Sequence, residues 1–281
     1  MKPVLIRLWA LFALVSLACT VSFNLPASRT GETQTLTLNE SPPAASPARV
    51  EIAMLGGSLN ISGGGENLVT GTIDYNLAEW KPEVTREDNT VRIAQQAKTV
   101  PVPSDGEMVN RWNLQLGDTP MFLSLQAGAY DGTINLSGVP LTGLEISGGA
   151  SDSEVRFDTP NPQAMDSFSY RTGASNVKIY GLGNANPAIF NFTCGAGDYL
   201  LDFSGTLQRA ITAEVTGALG NLTVIIPPDV SAQVNLTGGL RDVNLEGEWS
   251  QAGDRYTAAG SGPRLLINIE MSIGQLNLSI R

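Results

Sequence analysis

Four acidic residues close together in the chain are the first candidates for chemistry: Asp131, Asp152, Glu154 and Asp158. Two carboxylates at a suitable separation are sufficient for glycoside hydrolysis, and several carboxylate oxygens together bind calcium. A polysaccharide lyase also needs basic residues and substrate-enclosing loops, whereas basic residues are sparse and turns are short between 119 and 247. The GGxGxDxUx repeat of calcium-binding proteins is absent. A carbohydrate-active enzyme, whether lyase or glycosidase, is therefore an alternative and not the favoured interpretation.

The overall composition excludes several other classes of chemistry. The 281 residues include no histidine, so Ser-His-Asp triads and histidine-ligated metal sites are ruled out. With 17 basic and 27 acidic residues the net charge is -10, which repels the phosphate backbone of nucleic acids. We predict no nucleic-acid partner, no cofactor and no catalytic or metal-binding residues.

Two glycine-rich stretches, SGGGENL at 62–68 and CGAGD at 194–198, could in principle cradle a phosphate group. A phosphate loop also needs a following lysine and opens a helix, because the lysine and the helix N-terminus supply the positive potential. Neither stretch supplies the lysine or precedes a helical pattern. Both are therefore predicted to be structural turns.

The first 19 residues resemble a bacterial lipoprotein signal peptide. Lys2 and Arg7 are followed by an apolar run over 8–18, and Cys19 comes directly after a small residue. The run is too short for a membrane-spanning helix, which needs about 20 apolar residues. We predict a signal peptide over 1–19 that ends at Cys19, with this cysteine lipidated.

The segment that follows is predicted to be a tether. Residues 20–48 are rich in Thr, Ser, Pro and Ala and show no sustained apolar periodicity, which indicates a disordered linker. The protein is then expected to be extracytoplasmic and attached to the bacterial cell membrane. Residues 16–18 read Ser-Leu-Ala and depart from the usual lipobox, so an uncleaved anchor and ordinary secretion stay open as alternatives. With Cys19 acylated, Cys194 has no partner and is predicted to be buried.

A glycine-centred phrase recurs from residue 119 onward. Apolar and polar residues alternate before each glycine, as in FLSLQAG, and a few small or polar residues then lead into a second short strand, as in TINLSG. The phrase centres on Gly128, Gly148, Gly173, Gly195, Gly217 and Gly238, which are 22 residues apart on average. A sustained period of this length predicts a stacked repeat fold.

The chain is accordingly predicted to be all-β, with a parallel β-helix or solenoid of ~22-residue coils over 119–281. The six glycines are predicted to be structural corners, where positive φ permits a sharp turn and the coils approach closely. Asn and Asp just after the bend, namely Asn176, Asp198, Asn221 and Asp242, are predicted to tolerate left-handed conformations. Residues 49–118 have longer strand-like runs and a Pro/Gly-rich loop, and we predict an antiparallel N-terminal β section there.

The phrases VEIAMLGGSLNISGG, PEVTRE and NRWNLQLGDTPMFLSLQAGAYDGTINLSG resemble the toast-rack domain of bacterial cell-envelope proteins, which is related to cell-wall-active antibiotic response and putative-adhesin families. The resemblance covers residues 49–281 and is most specific at 110–157. It implies a β-helical fold on the outer side of a bacterial membrane, with no established catalytic residues to carry over.

The signal, the tether, the repeat and the missing histidine together predict a membrane-tethered, non-enzymatic β-solenoid with a structural or adhesin-like role in the bacterial envelope. Its expected partners are the membrane, through the lipid anchor, and an envelope protein or a glycan. Besides the carbohydrate-active enzyme, an accessory regulator of an envelope-stress response is an alternative. That alternative follows from the family resemblance alone.

Overall fold

The computed structural model describes residues 27–97, 102–103, 106–240 and 242–281. Apart from a 3-10 turn at Ala78–Trp80 and the four-residue helix α1 at Leu182–Ala185, its regular elements are strands. They are β1 Ala27–Ser28, β2 Gln34–Glu40, β3 Ala48–Gly63, β4 Val69–Tyr75, β5 Pro82–Glu87, β6 Thr90–Gln95, β7 Val102–Pro103, β8 Asn110–Leu116, β9 Met121–Asn135, β10 Leu141–Arg156, β11 Met165–Tyr180, β12 Pro187–Asp202, β13 Ile211–Ile226, β14 Ser231–Gly238, β15 Asp242–Glu246, β16 Ser250–Ala252, β17 Arg255–Ala258 and β18 Arg264–Ile280.

Seven long strands of 15 to 17 residues build the body of the molecule: β3, β9, β10, β11, β12, β13 and β18. Each pairs in parallel with its neighbours on both sides of a central bend. We call the halves before the bend the first wall and the halves after it the second wall. The result is an open parallel β-solenoid, so the predicted all-β solenoid fold is confirmed.

The alternation of apolar and polar residues places the core between the two walls. Phe168, Phe190 and Ala213 lie opposite one another in the first wall and are fully buried. In the second wall, Ile179 and Leu201 are stacked in the same way. Because side chains alternate across a strand, the residues between them point to the outer faces of the walls.

Buried asparagines satisfy backbone groups in the connections between coils. The Asn161 side chain donates to the carbonyl of Leu141 and accepts from the Leu141 amide of the preceding coil. One coil further on, Asn184 donates to the carbonyl of Phe157 and accepts from the amide of Thr206. These side chains supply the partners that buried loop backbone requires.

The N-terminal section is antiparallel as predicted, but it begins earlier in the chain. β5 and β6 form a hairpin beside the first wall, while β2, β4 and β8 form an antiparallel extension of the second wall. β2 lies inside the segment 20–48, so the prediction of a tether there was wrong over Gln34–Glu40. In TLTL at 35–38, Thr and Leu alternate with a strand period, and Leu38 is buried.

The C-terminal end departs from the order of the repeats along the chain. β18 lies between β13 and the last coil formed by β14 and β15. The hairpin of β16 and β17 then pairs with β14 at the edge of the first wall. The last strand in the chain, β18, is therefore internal to the stack, and the earlier strands β14 and β15 form the last coil at that end of the stack.

Candidate binding surface on the second wall

The six predicted corner glycines occupy two adjacent rows of the bend. Gly128, Gly173 and Gly195 lie in the row that the pairing skips. The other three, Gly148, Gly217 and Gly238, lie one position earlier, opposite residues such as Ala127, Cys194 and Met271. Adjacent small residues occupy the bend row in those coils, namely Gly149, Ala218 and Gly239.

The prediction gave two reasons for these glycines, positive φ and close approach of the coils, and the structure separates the two. Among the six, Gly238 has a positive φ, of 95°, and the other five do not. At Gly195 the limit is space, because a Cβ atom would lie 2.6 Å from the carbonyl oxygen of Gly173 in the neighbouring coil. Positive φ belongs instead to a glycine two residues beyond the bend row, as at Gly197 and Gly220, with φ of 152° and 148°. The corner therefore needs two specialised positions.

The side chains after the bend form a ladder rather than left-handed turns. Asp198 lies opposite Asn221 on the next strand, and the Asn221 amide donates to its carboxylate over 2.7 Å. Neither residue has a positive φ, so the predicted left-handed conformation was wrong there. Both belong to continuous strands, and their side chains are exposed.

Of the two cysteines, Cys194 lies in the described part of the chain and Cys19 does not. Cys19 lies outside the described residues, so its lipidation stays a prediction. Cys194 is buried and unpaired by a disulfide, which confirms its predicted place in the core. Burial raises the pKa of its thiol to about 11, although a hydrogen bond with Tyr199 acts in the opposite direction.

In a Cys19→Ser chain Cys194 is the one remaining thiol, and we expect iodoacetamide to modify it at least about tenfold more slowly in the native state than in urea at pH 8. Thiolate formation is disfavoured while the chain is folded. The neutral thiol therefore contributes stability that is complete below pH 9.0 and is lost as the pH rises through about 11. Equal alkylation rates with and without urea would contradict this burial.

The four candidate carboxylates fall into two groups. Asp131 and Asp152 lie opposite each other just after the bend and are exposed. Glu154 lies on the outer face of the second wall and Asp158 lies just beyond the end of β10, and both form ion pairs with Arg156, at 2.8 and 3.4 Å. Within the described ranges, no group of three acidic or cysteine side chains could hold a metal ion.

Arg156 bridges Glu154 and Asp158 through its two ion pairs. Its guanidinium lies 4.6 Å from the centre of the Tyr180 ring, and its hydrogen bond with Glu154 raises the pKa of the guanidinium. Both carboxylates are thereby bound to one cation.

Aromatic side chains do not form an exposed sugar-stacking platform along the described walls. Trp80, Trp112, Tyr75, Tyr130 and Tyr256 are buried. Tyr180 and Trp249 are partly exposed. Most of these aromatic side chains therefore pack in the core and are not available to stack on a sugar ring.

A depression lined by uncharged residues lies on the outer face of the second wall, where β4, β8, β3 and β9 are adjacent. It has a volume of about 410 Å³, and its polar lining includes Asn60, Thr72, Asn113, Gln115, Thr133 and Asn135. We call it the amide depression. Reasoning from the sequence missed it, although the signal is visible in Leu59-Asn60-Ile61 and Trp112-Asn113-Leu114, where an amide lies between two core residues.

The architecture places this chain among the β-solenoid proteins, with polar outer walls around an apolar core. Residues 26–180, more than half of the chain, match the family model described as the N-terminal domain of toast_rack, DUF2154. The chain therefore belongs to the toast-rack family, which confirms the resemblance. No curated protein matches the sequence.

Two solved structures are similar to this chain. One, a putative cell adhesion protein from Clostridium sporogenes ATCC 15579, is 21% identical with a TM-score of 0.53, and the match covers 89% of this chain and 100% of that one. The other, a putative adhesin from Bacteroides fragilis NCTC 9343, is 8% identical with a TM-score of 0.40 and covers 89% and 99%. The first supports the solenoid fold. Throughout the described part of this chain, no helix has the length and apolar character needed to cross a membrane.

Proposed function

We propose that this protein is a non-enzymatic binding protein of the bacterial cell envelope, held outside the membrane by a lipid on Cys19. The observation that carries the proposal is the outer face of the second wall. Its side chains are fixed in register by paired strands, and it contains the amide depression. A rigid sheet can present such groups with little loss of conformational entropy on binding.

The chemistry of the described residues supports binding rather than turnover. Glu154 and Asp158 are bound to Arg156, and the full sequence contains no histidine. Membership of the toast-rack family supports the same conclusion, because the resemblance carries no established catalytic residues. The solved structure described as a putative cell adhesion protein supports the solenoid fold on which this binding surface depends.

Lipid anchoring is tested by replacing Cys19. In a bacterial host fed a clickable palmitate analogue, we expect the wild-type chain to be labelled and to sediment with membranes. We expect Cys19→Ser to lose the label and to move to the soluble extracytoplasmic fraction, because a single thiol carries the lipid. In cells whose cell wall or outer membrane has been opened while the cytoplasmic membrane is still intact, we expect added protease to digest the wild-type domain.

Cys194→Ser is the matched control, since it removes the other cysteine of the chain. We expect it to keep both the label and the membrane association. Labelling that persists in Cys19→Ser, or a wild-type domain that is protected from protease inside the cell, would overturn the proposal of a lipidated extracytoplasmic protein.

A further inference from the structure

The amide depression consists of polar side chains held in a row across four adjacent strands. Thr72 on β4 lies opposite Asn113 on β8, Asn113 lies opposite Asn60 on β3, and Asn60 lies opposite Thr133 on β9. Neighbouring strands are about 4.8 Å apart, so the row spans roughly 14 Å. Gln115, two residues beyond Asn113, begins a second row.

The central pair of amides is oriented by its own hydrogen bond. Asn60 Nδ2 donates to Asn113 Oδ1 over 2.9 Å. Asn60 Oδ1 is thereby left as an acceptor and Asn113 Nδ2 as a donor, and both side chains are exposed. An acceptor and a donor held side by side match two neighbouring hydroxyl groups, since each hydroxyl can both donate and accept.

The lining favours a neutral ligand over an ion. All ten residues that line the depression are uncharged, in a chain whose net charge is -10. A charged ligand would find no opposite charge in the lining to compensate its loss of hydration. The volume of about 410 Å³ lies within the range of roughly 300–1,000 Å³ of small-molecule sites.

The position within the sheet argues against an extended peptide. A peptide that adds to a sheet binds through the free backbone groups of an edge strand. β8 and β3 are internal here, because each is paired on both sides. Their backbone groups are therefore occupied by sheet pairing, and a ligand at this place must be recognised through side-chain amides and hydroxyls.

We propose that the amide depression binds a neutral glycan chain, with Asn60 and Asn113 at the centre of the site. The assignment rests on the proposed binding function and specifies its ligand class. The hydroxyl groups of uncharged hexose or N-acetylhexosamine units would meet the amide row, and Thr72 and Thr133 would extend the contacts to either side.

Isothermal titration calorimetry of the wild-type domain with two neutral oligosaccharides, a β-linked glucose hexamer and an N-acetylglucosamine hexamer, tests this assignment. We expect at least one of them to bind and a galacturonate hexamer to bind at least about tenfold more weakly. The double variant Asn60→Ala/Asn113→Ala should weaken the neutral complex at least about tenfold, because it removes several hydrogen bonds at the centre of the site.

The chain supplies a matched control at the other end of the same wall. Asn244 donates to Asn277 over 3.1 Å in an equivalent amide pair, beside Glu246 and Arg281. Asn244→Ala/Asn277→Ala should leave the affinity for the neutral hexamer unchanged. Failure of both neutral hexamers to bind, tighter binding of the galacturonate hexamer, or equal losses in the two double variants would overturn the assignment.

The glycan titration and the lipid-labelling experiment can fail independently of each other. A domain that binds no neutral glycan but is still labelled at Cys19 and accessible outside the membrane would refute the ligand class alone. A domain that binds the hexamer through Asn60 and Asn113 but lacks the lipid would refute the anchoring alone. Unchanged circular dichroism spectra of both double variants are expected, because all four asparagines are partly or fully exposed.

Discussion

Replacing Ile267 with aspartate is expected to lower the stability of the protein by at least about 4 kcal/mol and to free the C-terminal end from the solenoid. Ile267 is fully buried in β18, between Ala213 on one side and Val234 on the other. A carboxylate there would have no partner in the apolar core. Because β14 and β15 reach the rest of the stack through β18, loss of this strand would remove their attachment.

Thermal unfolding followed by circular dichroism, together with trypsin digestion, measures this effect. We expect faster cleavage at Arg255 and Arg264, which lie in and next to the C-terminal hairpin. Ile273→Asp is the matched control, because it makes the same change in the same strand at a residue that is 66% exposed. Its stability should change by no more than about 0.5 kcal/mol. Equal destabilisation by the two variants would contradict an internal position for β18.

The position of β18 shows what local sequence can and cannot determine. Alternating residues and repeated glycines are sufficient to predict strands, a parallel stack and an apolar core, because each depends on neighbours within one coil. Stacking order depends on pairing between coils. β13, β14 and β18 carry the same apolar pattern, so each could lie against either of the others. The pattern along the chain therefore does not determine the stacking order, and the structure places the last strand between β13 and β14.

Pairing between coils also decides which of two adjacent glycines lies in the bend row. Where Gly148 is followed by Gly149, or Gly238 by Gly239, the sequence offers two equivalent candidates for the bend. The choice between them depends on which carbonyl group of the neighbouring coil lies nearest, and this contact is set by the stack.

The amide depression has a similar origin. Asn60 and Asn113 are 53 residues apart in the chain. Each reads locally as an outward polar residue in a strand, and no local pattern joins them. They become neighbours because β3 lies between β8 and β9, an arrangement that is fixed by long-range pairing.

The second large effect is expected at the corner, where Gly197→Val should destabilise the protein by about 4 kcal/mol. Gly197 has a φ of 152°, which a β-branched residue rarely adopts, and such strain costs about 1–3 kcal/mol. A Cβ atom there would also lie 1.8 Å from the carbonyl oxygen of Ser175. Backbone would have to move to relieve this overlap, and overpacking typically costs a further 1–3 kcal/mol.

The displacement would extend beyond one coil, because the equivalent glycines are stacked. A Cβ atom on Gly220 would meet the carbonyl oxygen of Gly197, and one on Gly274 would meet that of Gly220. Ala196→Val is the matched control, since Ala196 is the adjacent residue, is exposed, and lies opposite the half-exposed Leu219. Urea unfolding should therefore show a large loss for Gly197→Val and a change within about 0.5 kcal/mol for Ala196→Val. Similar midpoints for the two variants would mean that the coils can separate at the corner without cost, and the close stacking of the glycine row would then not limit the fold.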